Sequence, residues 1–278
     1  MGAGPLPESP VSADTLPQVR SVIIAAPLWA MTSVLLVVFG AVSYAARVFV
    51  LRRRDEDARE ELADQARNLF TGIAATFAFF IGFTINVAWN TVSAAQSAVE
   101  SQAIAVVQLD REIGNIPDRA ESAALTDKLK TYVRTVVNED RAFLVKGQAT
   151  RLPSAGPLDD LENAVDAYVF GPKAPDRVVT PLSSGLSALE TASATVSAIA
   201  NRGVPRPLAT LVAVIGLLVC VIAGIATVTY SRPSLAFLWC VIPALSITVV
   251  LAVAYPFAVR SGASLAPLQV VAENILSN

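Results

Sequence analysis

The sequence predicts an all-α chain: a four-helix transmembrane unit with a helical-bundle soluble insertion between the second and third membrane helices. Three observations carry that prediction. First, 54% of the 278 residues are hydrophobic and only 16% are charged, and the mean hydropathy is +0.55, which is too apolar for an ordinary soluble domain. Second, the charge is segregated: four long stretches carry none, whereas residues 100–206 are rich in it. Third, apolar residues in that charged stretch recur every three or four positions, and nothing alternates with a period of two for long enough to make a sheet.

Residues 1–20, MGAGPLPESPVSADTLPQVR, hold four prolines and little apolar periodicity, so they read as a disordered tail. From Ser21 to Ala46 no residue is charged; at ~1.5 Å per residue this run crosses a hydrocarbon core ~30 Å thick. The run is too long for a signal peptide, and LRRRDEDARE follows it in place of a small-residue cleavage site. It is the first membrane helix. Five arginines and six acids alternate between Arg52 and Arg67, a composition suited to a short solvated or surface-lying helix linking the first two spans.

The second uncharged run, Asn68 to Val99, is longer than one crossing needs, so its helix is expected to continue beyond the bilayer. Its outer half is rich in small residues (Ser93, Ala94, Ala95, Ser97, Ala98), which let helices approach closely. Transmembrane helices 1 and 2 are therefore placed at 21–90, and a soluble helical domain continuing from helix 2 at 91–206. Breaks at Ile116-Pro117, Gly147 to Pro157, Gly171 to Pro175 and Asn201-Arg202-Gly203 divide that domain into four helices. In one of them Leu125, Leu129, Tyr132, Val133, Val136 and Val137 make a single apolar face.

Leu208 to Tyr230 and Leu235 to Tyr255 are the third and fourth uncharged runs, separated only by a few residues around Arg232-Pro233. They predict an antiparallel hairpin, helices 3 and 4, at 207–256, with Pro243 as a site for a kink. The last segment, 257–278, reads as a turn followed by a short helix, suited to the membrane interface.

Composition also excludes functions. With 21 basic and 23 acidic residues there is no concentrated positive field for nucleic acid. Histidine is absent, which removes the commonest general base and transition-metal ligand. Cys220 and Cys240 lie in apolar runs, where thiols are usually small buried hydrophobes. Asp159, Asp160, Glu162 and Asp166 lack an EF-hand pattern and suit the first turns of a helix, where acids complement its dipole. No phosphate-cradling loop, nucleophile elbow or paired-cysteine metal motif occurs. The chain is expected to be no enzyme, with no cofactor and no metal.

The pattern with most chemistry in it is a stripe on the second membrane helix. Phe79, Phe83, Asn86, Asn90, Ser93, Ser97 and Glu100 recur every three or four residues and share one face. An amide at membrane depth is costly without a partner or water, so Asn86 and Asn90 should face a bundle or an aqueous cavity. Two readings are open. Either the amides are interhelical glue, or Phe79 and Phe83 form an apolar constriction in an ion path, Asn86 and Asn90 line it, and Ser93, Ser97 and Glu100 lie at its outer end. Gly82, beside the stripe, is compatible with both.

The segments IGFTINVAWNTVSAAQSAVESQAIAVVQLDREI, LKTYVRTVVNEDRAF and YPFAVRSGASLAPLQ, in this order, resemble the bacterial bestrophin-like family of membrane proteins, over most of Thr71 to Val271. That family is distantly similar to the bestrophin anion channels. The resemblance implies a pentameric, anion-selective channel whose second helix lines a narrow hydrophobic neck, with Phe79 and Phe83 at neck positions. A third neck position falls on Ala75, smaller than the bulky residue usual there. The basic residue and paired tryptophans that often follow in bestrophins are replaced by Ala88-Trp89-Asn90-Thr91.

Together these point to a multi-pass protein of a bacterial plasma membrane that self-associates and conducts small inorganic anions, its partners being the bilayer, copies of itself and those ions. The alternative is a membrane-anchored sensor or scaffold whose helical domain binds a ligand or protein. Orientation has two answers. Arg47, Arg52, Arg53, Arg54, Arg59, Arg67 and Arg232 on one side outnumber Arg20, Arg202, Arg206 and Arg260 on the other, which puts the termini and helical domain outside. The resemblance puts them in the cytoplasm.

Overall fold

A computed structural model of the chain describes residues 27–52, 55–146, 152–172, 174–230, 234–254, 256–257 and 262–277. The expected tail, the start of the first uncharged run and the turn at 231–233 lie outside the described residues. The helices are α1 (Leu28–Leu51), α2 (Glu56–Gly114), α3 (Arg119–Thr135), α4 (Arg141–Lys146), α5 (Ala155–Val169), α6 (Asp176–Ala200), α7 (Arg206–Ala226), α8 (Ser234–Val253) and α9 (Ala266–Ser277), with a π-helical turn at Val136–Asp140 joining α3 to α4. Among the described residues none is in a strand.

Helix α2 organises the fold. Asp55 caps it, its carboxylate accepting the Asp57 N–H at 3.2 Å, and Glu56 and Asp57 complement the dipole in the first turn. It then runs unbroken for 59 residues, ~90 Å at the rise of an α-helix. The arginine- and acid-rich linker is thus no separate element: it contains neither glycine nor proline, and nothing local stops the helix until Ile116-Pro117.

Two cores form along that rod. Near its start, Phe77 and Ile81 pack with Phe39 of α1, Val212 and Val219 of α7 and Ala244 and Ile247 of α8. Towards its end, Val106, Leu109 and Ile113 pack with Leu129 and Val133 of α3, Leu161 and Val165 of α5, and Leu182 and Leu189 of α6. Helix α9 belongs to this second core through Leu268, Ala272 and Ile275, so the reading of the C-terminal helix as an interfacial element is corrected. Its apolar face is consumed by α2, α3 and the π-helical turn.

Three helices are long and apolar enough to cross a membrane: Leu28–Leu51, Glu56–Gly114 and Pro207–Ala226; Phe237–Val253 of α8 is a shorter apolar helix. Their outward residues are large and apolar, among them Val34, Val37, Phe49, Val214, Leu238 and Ile242, as lipid-facing surface requires. The charged side chains near these helices are tied down. Arg47, near the end of α1, is buried and donates to the backbone carbonyls of Thr227 and, at 2.7 Å, Tyr230. Arg67 of α2 donates to the Ala226 carbonyl and to the Thr229 hydroxyl, pairs with Asp64 at 2.7 Å, and lies 5.3 Å from the centre of the Tyr230 ring. These two guanidinium groups supply donors to the carbonyls at and just beyond the C-terminal end of α7.

Candidate functional site

One side of α2 is used up inside the chain. Phe77, Ile81, Thr84, Ala88, Val92 and Ala95 are buried, a spacing of three to four residues that turns one stripe towards the rest of the chain, in the membrane part towards α7 and α8. Consecutive residues on a helix are rotated by ~100°, so Phe79, Phe83, Asn86, Asn90, Ser93, Ser97 and Glu100 fall on the side away from α7 and α8. All seven are exposed in the single chain: Phe79 by 69% and Phe83 by 52%. The structure therefore brings every member of the predicted stripe onto one uncovered face, about 30 Å long from Phe79 to Glu100.

The contacts along that face are local. The Phe79 ring stands edge-to-face on Phe80 at 5.4 Å between centroids, and Phe80 in turn packs on the buried cluster around Phe39 and Phe77. Asn90 donates an amide N–H to the Asn86 side-chain oxygen at 3.1 Å. That bond is within one helix. Among the described residues it leaves both N–H groups of Asn86 and the second of Asn90 without a partner. Gly72, Ala75 and Gly82 are exposed beside the rings, and a methyl group added at Gly72 or Gly82 meets nothing within 4 Å.

At the far end the stripe is anchored to α9. Gln96 donates to a Glu100 carboxylate oxygen at 3.0 Å and accepts the Ser264 N–H at 2.9 Å; Ser264 caps α9 by accepting the Ala266 N–H. Beside it, small residues of α2 and α6, including Ala94, Ser97, Ser101, Ser187 and Thr191, line an open groove of ≈700 Å³. Small side chains on both walls leave room for a closely approaching helix.

Three polar features escaped the sequence reading. Gln102, on the buried side of α2, donates to the Tyr132 hydroxyl at 2.7 Å; burial pushes the Tyr132 phenol up to about 12. Asp140, in the π-helical turn, is 1% exposed and accepts the Ser154 N–H at 3.0 Å and its hydroxyl at 2.5 Å. Burial raises this carboxyl to about 6, against the lowering effect of those two bonds. The third is the Arg47–Arg67 pair on α7. A polar residue within an apolar periodicity is the only signal any of them leaves, and it names no partner. Among the described residues no cluster of acids, cysteines or histidines could hold a metal ion.

A family model for the Bestrophin-like domain matches residues 30–263. Among solved structures, the fold is similar to that of a bacterial bestrophin homologue from Klebsiella pneumoniae. A tryptophan-to-alanine variant of that protein gives a TM-score of 0.66 at 15% identity, covering 91% of this chain and 98% of that one. Its structure phased with zinc gives 0.64 at 15% identity, covering 87% and 96%. A search of curated proteins finds none that matches. The uncovered stripe on a helix too long for one crossing thus sits in a fold already known from bacterial bestrophins, and this chain is an integral membrane protein belonging to the bestrophin-like family.

Proposed function

We propose that the chain is one subunit of a homo-oligomeric channel for small inorganic anions, and that the exposed face of α2 lines its path. The observation that carries this reading is the position of Asn86 and Asn90: two amides on a membrane-crossing helix, uncovered by any other helix of their own chain. In lipid each unsatisfied amide costs several kcal/mol, about 2 to 7 by transfer measures. A watery axis shared between copies removes that cost, and directs N–H dipoles at an anion. Phe79 and Phe83, one turn apart, then make the narrow apolar part of the path, and Ser93, Ser97 and Glu100 its outer part.

Four crossings per subunit, α1, the first part of α2, α7 and α8, are too few to enclose water alone, so conduction needs several copies about an axis. The family likeness favours five, in a bacterial plasma membrane, with the helical domain in the cytoplasm. The groove between α2 and α6 offers small-residue walls to a neighbouring copy. No catalysis and no cofactor enter this function.

Purified protein in planar lipid bilayers tests it. Wild type should carry anion current; Phe83→Ala should raise it by widening the narrow part, and Asn86→Ala should lower it or change its selectivity. Absence of current, or current unaltered by both substitutions, rejects the assignment. A strictly monomeric particle in detergent rejects it independently.

A further inference from the structure

Cys220 of α7 and Cys240 of α8 are fully buried thiols, neither of them in a disulfide. Twenty residues apart in sequence, they lie across the hairpin in one buried cluster, within interaction range of each other. The Cys240 thiol also approaches the Phe39 carbonyl of α1 at 3.6 Å. Around the pair are Phe39, Phe77, Val219, Ala244 and Ile247. One turn beyond Cys220, Gly224 has no room for a side chain because the Ser43 backbone of α1 lies against it, so α1, α7 and α8 hold the two sulfurs in a close, defined crossing. The ion path does not use this pair: it lies with Phe77, on the covered side of α2.

We propose that Cys220 and Cys240 are an intrasubunit dithiol–disulfide site, oxidised by hydrogen peroxide or another small uncharged hydroperoxide that enters the membrane. One sulfur, giving up its proton to the departing oxygen, attacks the peroxide as the thiolate; the O–O bond breaks, an S–O bond forms, and the sulfur becomes a sulfenic acid as the first water leaves. The second sulfur then displaces the sulfenic hydroxyl, forming the S–S bond and releasing the second water with its own proton. Two S–H bonds are lost, both sulfurs are oxidised by one electron each, and the peroxide is reduced by two.

The surroundings favour this product over its competitors. A disulfide is neutral and stays in an apolar layer at little cost, whereas sulfinic and sulfonic acids ionise and would have to bury a charge. Placement of the two cysteines in one cluster lets the second step outrun further oxidation, since no diffusion separates the partners. The same burial keeps out large or charged thiol reagents such as glutathione disulfide.

The test is a mass measurement on full-length protein in lipid nanodiscs, read without reference to conduction. After peroxide treatment the protein is denatured and alkylated with N-ethylmaleimide. Expected is a subunit lighter by two hydrogens, carrying no maleimide and taking up two after dithiothreitol, with one cross-linked peptide joining the two cysteines. Cys220→Ser should abolish the loss of two hydrogens and leave Cys240 alkylated or oxygenated. Two maleimides after peroxide, oxygen addition in wild type without cross-linking, or a disulfide between subunits overturns the proposal. So does reaction with glutathione disulfide as fast as with peroxide.

Discussion

Asp140→Asn removes a buried charge and leaves a side chain of the same shape, able to accept the Ser154 N–H and to donate to its hydroxyl. The wild-type carboxyl is raised from an ordinary 3.8 to about 6, first by burial and then, in part, by Glu139. A raised carboxyl pKa means the native chain holds the proton more tightly than the unfolded one. Its contribution to stability is therefore full below pH ~4 and is lost as pH rises through ~6. For those two values linkage gives about 1.4 kcal/mol of stabilisation at pH 5 relative to pH 8, rising to about 2.4 at pH 4. For a chain of 278 residues that corresponds to a gain of roughly 2 to 3 °C in Tm between pH 8 and pH 5.

The assay is helix melting by circular dichroism in detergent at the two pH values, comparing wild type with Asp140→Asn. Other carboxylates titrate in both proteins and cancel in the difference. The variant should lack the increment of roughly 2 to 3 °C and should be at least as stable as wild type at pH 8. Asp140→Ala serves as a control, because it orphans the Ser154 donors and leaves a void, costing about 2 to 4 kcal/mol at either pH. If Asp140→Asn keeps the wild-type pH dependence, the carboxyl is ionised throughout this range, and burial is not what governs it.

Four further outcomes follow from named contacts. Arg47→Ala should lower stability by about 2 to 4 kcal/mol, since it uncaps two carbonyls at the end of α7; Arg47→Lys, with one ammonium for two acceptors, should recover part of it in the same melting assay. Gly224→Ala should lower Tm by forcing α7 from α1, while Gly82→Ala, which meets nothing within 4 Å, should leave Tm unchanged or slightly raised. Glu100→Gln should raise anion conductance severalfold in bilayers, because it removes a carboxylate from the outer path; an unchanged conductance takes Glu100 off that path. Ala75→Ile should reduce the current by adding a bulky group one turn before Phe79.

What the sequence made legible depended on whether a residue's neighbours were local. The continuity of α2 is set by what is absent between Glu56 and Gly114, a proline, and by an asparagine and proline pair of stop signals just beyond; the linker was read as a separate helix only because its charge, not its backbone, changes at Asn68. The bundle helices and their apolar faces were legible for the same reason, since period is a local property. Contacts across the fold were not. Gln102 and Tyr132 are 30 residues apart, Arg47 and Tyr230 are 183 apart, and nothing in either local pattern singles out the partner. Helix α9 was misplaced because an amphipathic face of Leu268, Ala272 and Ile275 serves a protein core as well as a membrane surface.

The stripe on α2 shows how far a periodicity can be taken. Its rotation about the helix axis is fixed by the other side, where Phe77, Ile81, Thr84, Ala88 and Val92 are buried and α2 meets α7 and α8. Turning α2 to bury Asn86 within the subunit would carry Phe77, ~180° away, out of that core, at about 3 kcal/mol for a ring of its size. The amides are therefore held outward by the apolar residues behind them, and α2 cannot satisfy both faces within one chain. No described part of the chain meets Asn86 and Asn90 beyond their own helix, and an apolar lipid tail, which can accept no hydrogen bond, is the most costly partner for them.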